Sequence, residues 1–196
     1  MAEFLRYEQD GSVVTLTMDQ PERRNPLTGN TAVPEFLAAI DRIHEDRSVR
    51  AVVLTGAGTV FSAGGDIRTM QQQSAGEVDG MQIRHDYRTG IQRLPLALFN
   101  LEVPVIAAIN GAAIGAGLDL ACMCDVRIAA DTAKFAESFV KLGIIPGDGG
   151  AWLLPRLIGL SRASELSFTG DTIDAKLAAE WGLVSRVVSP DQLMET

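Results

Sequence analysis

The sequence predicts an α/β fold in which a mostly parallel sheet is flanked by helices. Short, continuous apolar segments alternate along the chain with segments whose apolar residues recur every three or four positions, as expected of alternating strands and helices. Residues 52–54 and 103–109 lack the polar alternation of a half-solvated strand, so they are typical of strands buried on both faces. The 196 residues are 46% hydrophobic, which suffices for one core and predicts a single domain over residues 1–196.

Each element is predicted from its local pattern. Strands are predicted at residues 13–18, 52–54, 103–109, 126–129, 134–136 and 184–188. Helices are predicted at residues 33–43, 83–98, 115–123, 151–157, 162–168 and 175–181. Pro95 is expected to bend or end its helix, and the polar residues 71–80 are expected to form a mobile loop. Ser189 followed by Pro190 is typical of a helix start, so a C-terminal helical segment is expected to be absent from this chain.

Composition and charge exclude several classes of function. The net charge is −8 and no Lys/Arg cluster occurs, which disfavours nucleic acid and anionic membranes as partners. No apolar run approaches the ~20 residues of a membrane span, and the first residues lack a signal-peptide pattern. Cys122 and Cys124 are expected to pack rather than bridge or react, which predicts a reducing, cytoplasmic location. His44 and His85 are predicted on the surface and no zinc spacing occurs, so no metal is expected.

Two glycine-bearing segments occur where a predicted strand becomes a helix. They are residues 61–67 (Phe-Ser-Ala-Gly-Gly-Asp-Ile), expected to open a helix at Asp66, and residues 110–119 (Asn-Gly-Ala-Ala-Ile-Gly-Ala-Gly-Leu-Asp). Small residues at such turns allow a ligand to approach the backbone, and the free N–H groups at a helix start attract negative charge. Two such turns facing one point would supply an oxyanion hole made of two main-chain donors.

Other interpretations of these glycines remain open at this stage. They could serve only tight turns and close helix packing. A dinucleotide-binding fingerprint begins at Gly115 and Gly117, but Leu120 occupies its third glycine position. The motifs of P-loop proteins and α/β-hydrolases do not occur.

Taken in order, these and later motifs resemble the crotonase superfamily, the enoyl-CoA hydratase/isomerase family. The motifs that carry the resemblance lie at residues 61–67, 104–111, 115–119, 124–127, 134–136, 142–150, 154–159 and 181–184. The resemblance implies a crotonase-like (ClpP/crotonase) fold of repeated ββα units. It also implies an acyl-CoA substrate and an enolate-type transition state, with coenzyme A part of the substrate and no separate cofactor. Homotrimers or dimers of trimers are usual in the family.

The resemblance also assigns binding residues. Gly65 and Ala116 match the two oxyanion-hole positions. The path of the CoA and acyl groups is expected to involve Arg24, Pro26, Ala63, Gly64, Gly65, Asp66, Ile67, Gly115 and Phe139. For Arg24, a solvated side chain is an equal alternative.

Three carboxylates are candidates for proton transfer, and they leave hydration and isomerisation open. Family hydratases use two glutamates; the first matches Asp119, a shorter carboxylate, and the second falls on Phe139. Asp148 stands where the resemblance places a catalytic aspartate of dienoyl-CoA isomerases, and close to that of ring-epoxide isomerases. We therefore expect Asp148 to be the principal base and Asp119 a second acid/base or a water-positioning group, with Glu137 as the fallback second carboxylate.

Each carboxylate also has a simpler interpretation. Asp148 could cap the helix that follows it, Asp119 could pair with a helix dipole, and Glu137 could be a surface charge at a strand end. Because Phe139 replaces a glutamate and a C-terminal segment is expected to be absent, a non-catalytic acyl-CoA-binding subunit is the alternative from a different class.

Overall fold

The computed structural model describes residues 3–67, 70 and 78–196, and it contains two sheets. The larger sheet has the strand order β1-β2-β3-β5-β7-β10 and the smaller sheet the order β4-β6-β8-β9. The strands are β1 (Leu5–Asp10), β2 (Val13–Met18), β3 (Ala51–Gly56), β4 (Val60–Ser62), β5 (Val105–Ile109), β6 (Ala112–Ile114), β7 (Val126–Ala130), β8 (Lys134–Ala136), β9 (Thr172–Asp174) and β10 (Arg186–Val188). All pairs are parallel except β1–β2 and β8–β9.

Helices cover the sheets. They are α1 (Ala32–Glu45), α2 (Gly80–Thr89), α3 (Arg93–Phe99), α4 (Ala116–Met123), α5 (Gly150–Ile158), α6 (Leu160–Thr169) and α7 (Ala175–Glu180). Short 3-10 helices occur at Pro21–Arg23, Ser138–Leu142 and Pro190–Gln192. Three times a strand of the larger sheet is followed directly by a strand of the smaller one: β3 by β4, β5 by β6, and β7 by β8. This repetition confirms the predicted α/β fold of ββα units with a mostly parallel sheet and flanking helices.

The core explains why these segments adopt these elements. Strands β3 and β5 contribute fully buried apolar residues, as their unbroken apolar sequences predict. Helix α4 is buried along nearly its whole length, which fits its apolar sequence. None of the helices in the described ranges combines the length and apolar character that a membrane-crossing helix requires.

Some elements differ from the sequence-based predictions. Strand β1 was not predicted, and β4, β6 and β9 are only three residues long, too short for their periodicity to register. The predicted helix over residues 83–98 is divided near Gly90 rather than at Pro95, because Pro95 lies in the first turn of α3, where its missing N–H costs nothing.

Two further predictions concern the segment after β4 and the end of the chain. The expected loop at residues 71–80 lies mostly outside the described residues, except that Asp79 caps α2 and Gly80 begins it. The helix predicted to begin at Asp66 also lies partly outside the described ranges. The helix predicted to start at Ser189 and Pro190 is a short 3-10 helix, Pro190–Gln192.

Candidate active site

The two glycine-bearing turns lie side by side at the carboxyl ends of strands β4 and β6 of the smaller sheet. Strands β4 and β6 are parallel neighbours, so the turns that follow them leave the sheet in the same direction. Gly64 and Gly115 adopt positive φ angles of 85° and 52°, which favour glycine. A Cβ atom on Gly64 would lie 3.1 Å from the amide nitrogen of Ala116, so the first turn packs directly against the start of α4.

The hydrogen bonds at these turns leave two amides available. The amide of Gly64 donates to Ser62 Oγ at 3.2 Å, and that of Gly115 donates to the carbonyl of Ala136 at 2.8 Å. Within residues 3–67, 70 and 78–196, the amides of Gly65 and Ala116 have no acceptor. Ala116 is buried and Gly65 half-buried, so the unsatisfied donors favour a ligand oxygen that would accept from them.

The early loop that carries Arg24 and Pro26 lies along the first glycine turn. Pro26 forms a parallel bridge with Gly64, and the amide of Ala63 donates to the carbonyl of Arg24 at 2.9 Å. The buried side-chain amide of Asn25 donates through Nδ2 to the carbonyls of Ala57, Val60 and Phe61 and thereby holds this loop on β4.

Charged groups at this loop differ in part from the prediction. Arg23, rather than Arg24, reaches the turn: its guanidinium donates to Asp66 at 2.8 Å. The side chain of Arg24 is exposed and forms no ion pair with the described residues. Ile67, the last residue of the first glycine-bearing segment, is 52% exposed. The sequence alone does not identify Arg23, because Arg23 and Arg24 are adjacent residues of the same type and no local pattern shows which of them reaches the turn.

The three candidate carboxylates are buried together. Asp119 lies in the first turns of α4, Glu137 directly follows β8, and Asp148 lies in the loop before α5. Asp119 is 1% exposed, Glu137 0% and Asp148 4%. Both oxygens of Asp119, both of Glu137 and Oδ1 of Asp148 lack a hydrogen-bond partner among the described residues. Glu137 is therefore not the surface charge of the simpler interpretation.

Burial raises the pKa of all three carboxyl groups. For Asp148, burial alone raises the pKa to about 6. Burial also raises the pKa of Asp119, with the negative charge of Asp148 as the second cause. The pKa of Glu137 is raised first by burial and then by the charge of Asp119. Since the charge of Asp119 disfavours the ionisation of Glu137, the pair retains a proton in conditions where Asp148 is ionised.

Helix α5 begins against the Asp119 carboxylate. A Cβ atom on Gly150 would coincide with that carboxylate, so only glycine permits this approach. The N-cap of α5 is Gly149, and no side chain caps the helix. The alternative in which Asp148 caps this helix is therefore wrong.

Asp148 lies on the wall of an apolar cavity of about 450 Å³. The cavity is lined by Gln92, Pro95, Leu96, Phe99, Met123, Gly147, Asp148, Gly149, Trp152 and Leu153. Among these described residues Asp148 is the only ionisable one. At the rim, the rings of Phe99 and Trp152 meet edge to face at 6.1 Å, and Arg156 stacks on Trp152 at 3.8 Å. A carboxylate in such surroundings is suited to take up a proton.

Phe139, which stands where hydratases carry their second glutamate, is buried beside the second glycine turn. Its Cζ atom would lie 3.7 Å from a Cβ atom on Gly115. An aromatic ring there can pack against an acyl group but cannot transfer a proton. Glu137, two residues earlier, is fully buried and lines none of the described cavities.

The remaining candidate residues lie where the sequence predicted them. Cys122 and Cys124 are free and buried, and burial raises the pKa of both thiols. His44 and His85 are exposed. In the ranges that the structure describes, no group of three His, Cys, Asp or Glu residues could hold a metal ion.

Replacing Glu137 with glutamine should raise stability at alkaline pH. The folded-state pKa of Glu137 lies above its unfolded value, so its contribution to stability is greatest below pH ~4.3 and is lost as pH rises through the folded pKa. We expect a gain of more than about 1 kcal/mol near pH ~9 that vanishes toward pH ~4, measured by urea unfolding. The exposed Glu165→Gln is the matched control; equal curves for the two variants would contradict the burial argument.

Comparison with known proteins identifies the family. A family model described as enoyl-CoA hydratase/isomerase matches residues 8–196. A 1,2-epoxyphenylacetyl-CoA isomerase of Escherichia coli (strain K12) is 38% identical over 198 residues, covering 100% of this chain and 74% of that protein. A short-chain-enoyl-CoA hydratase of Clostridium acetobutylicum is 41% identical over 190 residues, covering 96% of this chain and 70% of that protein.

A solved structure agrees with these relatives. The crystal structure of an enoyl-CoA hydratase from Bacillus anthracis superimposes with a TM-score of 0.90 at 37% identity, covering 98% of this chain and 73% of that one. The chain therefore belongs to the enoyl-CoA hydratase/isomerase family of the crotonase superfamily, and it is a lyase or isomerase enzyme of that family.

Proposed function

We propose that this enzyme isomerises a double bond in an acyl-CoA thioester, with Asp148 as the base that moves the proton. The observation that carries the proposal is the position of Asp148 as the one ionisable group on the described wall of the apolar cavity. Its pKa of about 6 leaves it ionised at neutral pH, yet close enough to neutrality to accept and return a proton.

The reaction needs a base and a site for negative charge. The Asp148 carboxylate takes a proton from carbon 2 of a 3-enoyl thioester, and the electron pair moves to the thioester oxygen. The amides of Gly65 and Ala116 donate to that oxygen; an interaction of this kind contributes roughly 3–4 kcal/mol per donor. Asp148 returns the proton to carbon 4, which leaves a 2-enoyl thioester of unchanged composition.

The other candidate residues bind the substrate or support the base. The CoA moiety follows the first glycine turn, along Ala63, Gly64, Asp66 and Ile67, with Arg24 and Pro26 in the adjoining loop. Phe139 and Gly115 contact the acyl group next to the thioester.

The pair formed by Asp119 and Glu137 retains a proton beside Asp148, because burial raises both pKa values. Because the protonated pair carries one negative charge fewer than two carboxylates, it limits the repulsion on the Asp148 anion.

The proposal also covers assembly and location. The enzyme assembles as a homotrimer or a dimer of trimers and acts in the cytoplasm.

Two observations favour isomerisation over hydration. Hydration by the two-glutamate route needs two carboxylates that reach the same water, yet Phe139 occupies the second position. The other two carboxylates, Asp119 and Glu137, are almost completely buried, with 1% and 0% of their surface exposed. The relative from Escherichia coli named as an isomerase supports this choice, although relatives named as hydratases are equally similar.

Oxygen-18-labelled water separates the possible reactions. The enzyme is incubated with 3-hexenoyl-CoA, a 3,5-dienoyl-CoA and crotonyl-CoA, and the products are analysed by mass spectrometry. We expect double-bond migration in the first two substrates without oxygen-18 incorporation. A labelled 3-hydroxyacyl product formed from crotonyl-CoA at a higher rate would instead establish hydration, and tight binding without turnover of any substrate would establish a non-catalytic subunit.

A further inference from the structure

Gln92 links the Asp148 loop to the helices on the opposite side of the cavity. It occupies the N-cap position of α3, but its side chain makes no capping hydrogen bond. Instead its Nε2 donates to the carbonyl of Gly147, next to Asp148, at 3.0 Å. Its backbone amide donates to the carbonyl of Tyr87 on α2, also at 3.0 Å. Gln92 is thus anchored to α2 through its backbone and to the Asp148 loop through its side chain.

This hydrogen bond lies between two cavities. The Asp148 cavity of about 450 Å³ lies on one side, and a cavity of about 580 Å³ lies on the other. The second cavity is lined mostly by apolar and aromatic residues such as Ile83, Tyr87 and Ile144, with two arginines, Arg84 and Arg88, and it reaches Ile67 at the first glycine turn. Among the described lining residues, Gln92 and Gly147 are the two that both cavities share.

We propose that Gln92 is a specificity-determining residue whose hydrogen bond to Gly147 closes the acyl site between these two compartments and thereby limits the size of the acyl group. The proposal rests on the proposed function only in that the Asp148 cavity takes the acyl group. A long acyl chain can pass only if the hydrogen bond opens, which leaves a half-buried amide and a carbonyl without their partners. A short acyl group fits one compartment without this cost.

The test compares acyl-chain selectivity in two variants and a control. Gln92→Ala removes both the bulk and the donor, whereas Gln92→Met keeps the bulk and removes the donor. The control is Gln82→Ala on α2, whose exposed side chain bonds Asp86 and lines neither cavity. Dissociation constants of saturated butyryl-CoA and decanoyl-CoA are measured by calorimetry, together with kcat/KM for the corresponding enoyl-CoA esters.

We expect Gln92→Ala to shift the decanoyl-to-butyryl preference by about tenfold or more toward decanoyl. Gln92→Met should shift it in the same direction by less, and Gln82→Ala should leave it unchanged. A preference within about twofold of the wild-type value in both Gln92 variants overturns the proposal. If Gln92→Ala does not fold, the Met variant decides alone.

Binding of saturated esters involves no chemistry, so this measurement is independent of which residue is the base. A shifted binding preference alongside a fully active Asp148→Asn variant would refute the assignment of the base and leave the role of Gln92 intact. An unshifted binding preference alongside an inactive Asp148→Asn variant would refute the role of Gln92 and support Asp148 as the base.

Discussion

Asp148→Asn should lower the rate of double-bond migration by about 10²–10⁴-fold, the usual contribution of a positioned acid or base. The amide keeps the shape of the side chain but cannot accept a proton from carbon. The loss should fall on kcat rather than on the binding of saturated acyl-CoA esters, because the substrate contacts remain. Asp171→Asn, which alters an exposed aspartate, is the matched control and should keep the wild-type rate.

The pH profile gives the same assignment an independent readout. Below pH 6 the Asp148 carboxyl is mostly protonated and cannot act as a base, since burial raises its pKa to about 6. The wild-type rate should therefore rise with pH through about 6 and then level off. Asp148→Asn should lack this limb. If the rate of the variant still rises with pH near 6, that rise belongs to a group other than Asp148.

Stability measurements distinguish lost chemistry from lost structure. The buried Asp148 anion is disfavoured in the folded state, because its folded pKa lies above the unfolded value. Removing the charge should leave the midpoint of thermal unfolding at pH 8 equal to or above that of the wild type. An inactive variant that is also markedly destabilised would attribute the loss to structure.

Ala116→Pro should lower kcat by about 10²–10³-fold, the usual cost of losing one oxyanion-hole donor. Proline removes the amide proton at the first position of α4, where its fixed φ is compatible with a helix. The substrate ground state gains little from this donor, so the binding of saturated esters should change far less than kcat.

Ala116→Gly is the matched control because it keeps the amide proton. Its rate should remain within a few-fold of the wild-type value, with a stability loss of up to about 1 kcal/mol from glycine in a helix. Circular dichroism of both variants checks that α4 still forms. A proline variant with a near wild-type rate would remove the Ala116 amide from the mechanism.

The features that could be predicted from the sequence are those that local residue types determine. The glycine turns needed small residues at a strand-to-helix junction, and the positive φ angles of Gly64 and Gly115 confirm why. The apolar segments gave β5 and β7. Asp148 became a candidate base only through the resemblance to isomerases of the family, because a carboxylate just before a helix is locally typical of a cap.

The remaining features depend on contacts between distant parts of the chain. Glu137 looks like a surface charge locally, yet it is completely buried beside Asp119 of α4, which follows a different strand. Gln92 finds its partner 55 residues further along the chain. Strands β4, β6 and β9 of the smaller sheet each pair with a neighbouring strand, and their three residues carry no periodicity that could reveal this.

The placement of both glycine turns at the ends of paired strands has a consequence for how such enzymes diversify. Neighbouring strands lie ~4.8 Å apart, a distance fixed by the backbone ladder itself. The two glycine turns begin directly after β4 and β6, so their starting points keep this spacing whatever side chains surround them. Substitutions elsewhere can thus move carboxylates or reshape the acyl chamber while the spacing of these two turns persists, so one scaffold can accommodate distinct reactions at little structural cost.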